Sequence, residues 1–100
     1  MDLDSILVST GYPVAYNHFK KPPQTPYIVY LFTDSNNFSA DNRAYAKINR
    51  YQIELYTNKK DNAAEQNVEN ILDNAEIFYD KSEIYIESEG LFQTLYEIEV

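Results

Sequence analysis

At 100 residues the chain has room for one domain and one core. It holds no cysteine, which excludes disulfides, thiolate nucleophiles and Cys-ligated zinc. A net charge of −8 would repel a phosphate backbone, so direct sequence-specific binding of nucleic acid is not expected.

The first element is short. Leu3, Ile6 and Leu7 stand at i, i+3, i+4 spacing, which predicts the last two turns of a helix across Asp2 to Ser9, stopped by Gly11. The opening Met-Asp-Leu-Asp has no basic stretch leading into an apolar one, so no signal peptide is expected. No apolar run approaches the ~18 residues of a membrane span. Both features make the cytoplasm the expected compartment. Pro13 to Tyr16 reads as a short extended piece, and Lys20 to Pro26, with three prolines, as a stiff loop.

Tyr27 to Thr33 is β-branched and aromatic almost throughout, with apolar residues in both phases. It predicts a strand buried on both faces, or on one face and in a contact between subunits. Asp34 to Asn42 carries turn chemistry and reads as a polar loop, with Phe38 its one aromatic. Arg43 to Thr57 predicts a long strand. Its apolar residues move from even numbers (Ala44, Ala46, Ile48) to odd ones (Tyr51, Ile53, Leu55), so a bulge or a change of packing partner is expected near Asn49–Arg50.

Asn58 to Asn62 reads as a turn. Asn62 and Glu65 have capping-box spacing, and Ala64, Val68, Ile71, Leu72 and Ala75 form one apolar stripe of a helix from Asn62 to Ala75. Glu65, Gln66, Glu69, Asn70 and Asp73 are assigned to its solvent side. Ile77–Tyr79 and Glu83–Glu87 give strand signals, and Ser88–Gly90 is a turn. The last strand, Phe92 to Val100, sets Phe92, Thr94, Tyr96, Ile98 and Val100 against Glu97 and Glu99. The expected fold is α+β in the order α-β-β-β-α-β-β, a single, mainly antiparallel sheet packed against one long helix.

The inventory of reactive groups is thin. His18 is the only histidine, and neither metal-ligand spacing nor a nucleophile elbow accompanies it. Glu83 with Glu87, and Glu97 with Glu99, read as charged outer faces of amphipathic strands rather than as an acid–base pair. The isolated Gly11 and Gly90 make no phosphate-cradling loop. Asp34-Ser-Asn-Asn37 lacks the glycine and distant glutamate of a calcium loop. No catalytic, metal or cofactor-binding residue is assigned. Ten tyrosines and no tryptophan suit half-buried strands and protein interfaces. Lys20-Lys21 and Lys59-Lys60 with Arg43 and Arg50 hold most of the positive charge. Gathered at one end of the fold, they would make the molecule bipolar and suited to head-to-tail association.

Pro26-Tyr-Ile-Val-Tyr-Leu31, Ala40-Asp-Asn42 with Tyr45, and Tyr51-Gln-Ile-Glu-Leu-Tyr-Thr57 carry a resemblance that covers nearly the whole chain. The sequence resembles the small tail-completion, tail-terminator or head–tail joining proteins of long-tailed phages and prophages of Gram-positive bacteria. The resemblance implies a homo-oligomeric ring, a hexamer, in the virion tail, assembled in the bacterial cytoplasm from subunits that can be monomeric in solution. Its partners would be tail-tube and head-connector proteins. It brings no catalytic residues.

A ring needs a heterologous contact that closes by rotation. The expected contact surfaces are the Asp34–Asn42 loop, the edge of the Arg43–Thr57 strand and the Lys59–Asp61 turn. The candidate residues are Asp34, Asn37, Phe38, Asp41, Arg43, Arg50, Glu54, Tyr56, Lys59 and Lys60. A small acidic protein-binding module or regulator is the alternative reading, and a small hydrolase the third.

Overall fold

The computed structural model describes residues 2–35, 38–40, 43–46 and 48–100, with 38–40 and 43–46 described as backbone. The described elements are α1 (Leu3–Val8), β1 (Val14–Tyr16), β2 (Tyr27–Ser35), β3 (Phe38–Ala40), β4 (Arg43–Ala46), β5 (Asn49–Thr57), α2 (Asn62–Asn74), β6 (Tyr79–Ile86) and β7 (Leu91–Glu99). The α+β class stands as expected. The main sheet has five strands in the order β1-β2-β5-β7-β6, and β3 and β4 form a separate two-stranded ribbon.

Three details of the expected architecture are corrected. The sheet is mixed, because β1 pairs with β2 in parallel, Val14 opposite Ile28. The proline-rich loop returns the chain to the start of β2, so the two strands run the same way. Second, no single long helix covers the sheet: the 13-residue α2 shares that side with α1, whose Leu3 and Leu7 are buried in the same core. Third, the Arg43–Thr57 segment is two strands in two sheets, and the phase change marks the break between them. The bulge itself lies across the ladder, between Phe32 and Asp34 of β2. The Asp34–Asn42 segment is also more than a loop: Asp34 and Ser35 finish β2, and Phe38–Ala40 is β3.

α2 forms where its apolar stripe dictates. Ala64, Val68 and Leu72 are buried against Ile53 and Leu55 of β5 and Tyr96 and Ile98 of β7. The cap, however, is Asp61 rather than Asn62: the Asp61 carboxylate accepts from the Ala64 amide at 3.0 Å. The helix ends where Glu76 takes a φ of 57° and the Ile77 amide donates back to the Leu72 carbonyl at 2.9 Å.

β7 alternates as expected, with Thr94, Tyr96 and Ile98 buried. β2 is buried on both faces over Tyr27, Ile28 and Val29. Ile28 faces the helices. Tyr27 lies on the helix-free face under Phe19, whose ring meets it edge-on at 5.5 Å. The two strand signals between Ile77 and Glu87 merge into one strand, β6.

The long dimension is 50 Å, against 28 and 23 Å for the others. A nine-residue strand spans only about 30 Å. The β3–β4 ribbon comes between β2 and β5 in the chain and pairs in a sheet of its own.

Two substitutions test the reading of α2 by chemical denaturation. Asp61→Ala is expected to cost about 1 kcal/mol while Asn62→Ala costs close to nothing. Leu72→Ala should cost about 2–5 kcal/mol, because Leu72 is fully enclosed.

Candidate interaction surface

The register of β5 sorts the candidate residues. Arg50 lies opposite Asp34 of β2 and Glu99 of β7, so one guanidinium spans three strands. It approaches Asp34 at 3.3 Å through Nη1 and Glu99 at 3.3 Å through Nε. The second contact is an ion pair without hydrogen-bond alignment, since Nε is buried yet makes no hydrogen bond. All three side chains are about half exposed, so little stability comes from the pairs. What they fix is position: they tie β2, β5 and β7 together where the ribbon leaves the sheet. A groove of about 480 Å³ opens beside them, lined by Gln52, Asp80, Glu97 and Glu99 among others.

Glu54 and Tyr56 occupy the helix-free face. The Tyr56 hydroxyl donates to Glu54 at 2.8 Å, Gln52 donates to the other Glu54 oxygen at 2.6 Å, and Gln93 donates to the Tyr56 hydroxyl at 2.8 Å. The Tyr56 ring stacks on its cross-strand neighbour Tyr27 at 5.0 Å. Burial first, and then the bond to Glu54, push the Tyr56 phenol well above its ordinary value. A carboxylate that already accepts two donors is a poor proton acceptor for chemistry and a good fixed contact for another protein.

Lys59 and Lys60 sit in the turn beyond the opposite end of β5, whose Thr57 is roughly 23 Å from Arg50 along the strand. Lys59 is exposed. Lys60 is not free: its Nζ binds Glu65 at 2.8 Å and Glu83 at 2.7 Å. Phe38 and Arg43 lie on β3 and β4, whose side chains are not described, and Asn37 and Asp41 fall outside the described residues. The six candidates whose side chains are described therefore do not form one patch. They divide between the foot of the ribbon, the helix-free face and the lysine turn.

Glu65 corrects the assignment of the helix's polar side. It is buried, at 4 % exposure, and lies between Lys60 and Lys81, both at 2.8 Å. Lys81 also binds Glu69 at 2.7 Å, and the Tyr96 hydroxyl donates to Glu69 at 2.8 Å. Glu83, assigned to an outer face, closes the chain of charges through Lys60. The sequence signal for this cluster was the Glu65/Glu69 pair at i, i+4 on the border of the apolar stripe, next to a strand with a single lysine.

The ladder also fixes the distribution of charge. Asp34, Asp80, Glu97 and Glu99 share the end from which the ribbon leaves, with Asp73 and Glu76 at the C-terminal end of α2. Lys20, Lys21, Lys59 and Lys60 lie at the other end, where β2 begins and β5 finishes. The lysines share that end with Asp61, Glu65, Glu83, Glu87 and Glu89, so it is close to neutral and the ribbon end is strongly acidic.

Among the described residues no group of three or more His, Cys, Asp or Glu side chains is arranged to hold a metal ion, and no helix is long and apolar enough to cross a membrane.

The buried carboxylate makes a pH prediction. Burial alone would raise the Glu65 pKa, but the hydrogen bonds from Lys60 and Lys81 outweigh it and hold it below the ordinary value of 4.5. A depressed folded-state pKa adds stability above the unfolded-state value and loses it as pH falls through the folded-state one. Acid unfolding of Glu65→Gln should accordingly be flatter than wild type below pH 4.5. Its stability at pH 7 should be lower by about 2 kcal/mol, less than for a fully buried pair because both lysines remain partly exposed. No protein-family model matches this chain, and no curated protein matches it.

Proposed function

We propose that the chain is a structural assembly subunit of a phage or prophage tail. In this reading it is a ring-forming tail-completion or head–tail joining component that meets tail-tube and head-connector proteins and performs no catalytic step. The observation that carries the reading is the β3–β4 ribbon, which the chain forms between β2 and β5 as a sheet of its own, outside the main sheet. An isolated two-stranded ribbon is marginal in water and gains its stability from a surface to lie on. A neighbouring copy supplies that surface if the ribbon of each subunit reaches the next, a heterologous contact that closes into a ring.

Arg50, held by Asp34 and Glu99, lies at the end of the sheet from which the chain goes into the ribbon. The resemblance of Tyr51–Thr57 and Pro26–Leu31 to phage tail-completion proteins supports the same reading. So does the uneven charge, since an acidic surface facing a channel lets DNA pass without sticking.

The acidic ribbon end favours a second reading, an acidic module that docks on a basic protein. Particles purified from the encoding lysogen separate the two. The tail reading expects the protein in them at a ring's worth, on the order of six copies each. Arg50→Glu should keep its fold, because the pairs it breaks are exposed, yet leave heads and tails unjoined in electron micrographs. Particles that lack the protein, together with normal joining after its gene is deleted, overturn the tail reading.

A further inference from the structure

The two edges of the main sheet are treated differently. β1 is three residues long and follows Pro13, so it offers little to a further strand. β6 is eight residues long, contains no proline, and pairs with β7 without a register shift from Tyr79 to Ile86. Among the described residues no strand pairs with its outer edge, which carries unpaired backbone groups. It also has a concentration of exposed apolar side chains: Phe78 is 82 % exposed, Ile84 56 % and Tyr85 53 %.

The geometry points to antiparallel pairing of β6 with β6 of a second copy of this chain, about a two-fold axis at Ser82. Such a pair keeps the helices of both copies on one side and sets residues of the same face opposite each other. The side-chain pattern selects the register. Centring on Asp80, Lys81 or Glu83 sets each of these charges against its own copy, which is unfavourable. Centring on Ile84 shortens the overlap to residues 82–86 and leaves Lys81 outside it, whereas centring on Ser82 overlaps 79–85. Centring on Ser82 puts Lys81 opposite the partner's Glu83 twice, Tyr79 opposite the partner's Tyr85 twice, and Phe78 opposite the partner's Ile86 twice, against the one mismatched pair, Asp80 opposite the partner's Ile84.

The charges that guard a lone edge against stray strands thus become complementary toward an identical one. They extend the line Glu69–Lys81–Glu65–Lys60–Glu83 across the boundary. All three exposed apolar side chains lie along the joined edge, and the result is one continuous sheet through both copies. An isologous contact cannot by itself build a ring. This pairing is therefore a different surface from the ribbon contact, and either can fail without the other.

The absence of native cysteine makes the test direct. Ser82→Cys puts two thiols opposite each other at the axis, within the Cα separation a disulfide accepts. Mild oxidation of the full chain is expected to cross-link Ser82→Cys at least roughly tenfold faster than Ala63→Cys on the exposed first turn of α2, since pairing raises the local thiol concentration. Adding Phe78→Asp, at a side chain with almost no contacts to lose, should abolish the difference while leaving the melting temperature unchanged. Equal rates for the two cysteines overturn the pairing, and faster cross-linking through Glu83→Cys overturns the register.

Discussion

β5 is the strand against which the whole molecule is registered. It is paired along nearly its full length on both sides, with β2 from Tyr56 back to Asn49 and with β7 from Arg50 to Thr57. Its odd residues, Ile53 and Leu55, are fully enclosed beneath α2. Its even residues, Gln52, Glu54 and Tyr56, form the hydrogen-bonded row on the opposite face. A slip of one residue would exchange these sets and bury a carboxylate in the core, so the two-residue period leaves one register.

That register decides where everything with a possible role is placed. It brings Arg50 between Asp34 and Glu99 and so fixes the foot of the ribbon. It puts the lysine pairs at one end and most of the unbalanced carboxylates at the other. It also leaves β6 outermost, since β7 occupies the remaining side of β5. The proposed ring contact uses the ribbon outside the main sheet, the β6 pairing uses backbone that the sheet leaves unpaired, and neither needs a reactive side chain.

The ionic cluster around Glu65 joins these features mechanically. Lys60 comes from the turn after β5, Lys81 and Glu83 from β6, Glu65 and Glu69 from α2, and the Tyr96 hydroxyl from β7. A buried carboxylate tolerates only a narrow set of positions for its two ammonium partners. The cluster therefore pins the edge strand to the helix.

The amino-acid sequence determined the elements whose periodicity is local. The α2 stripe, the β7 alternation and the twice-buried start of β2 were legible because each needs only the spacing of apolar residues along one segment. The tertiary structure decided what depends on which segments meet. The parallel pairing of β1, the division of Arg43–Thr57 between two sheets and the bulge beside Asp34 follow from strand partners, which a single stretch does not specify. Glu65 is the clearest case: on a helix wheel it borders the solvent side, and only the arrival of Lys81 from an edge strand 16 residues further along makes its burial affordable. The candidate contact residues whose side chains are described divided for the same reason, because closeness in sequence said nothing of the ~26 Å between the two ends of β5.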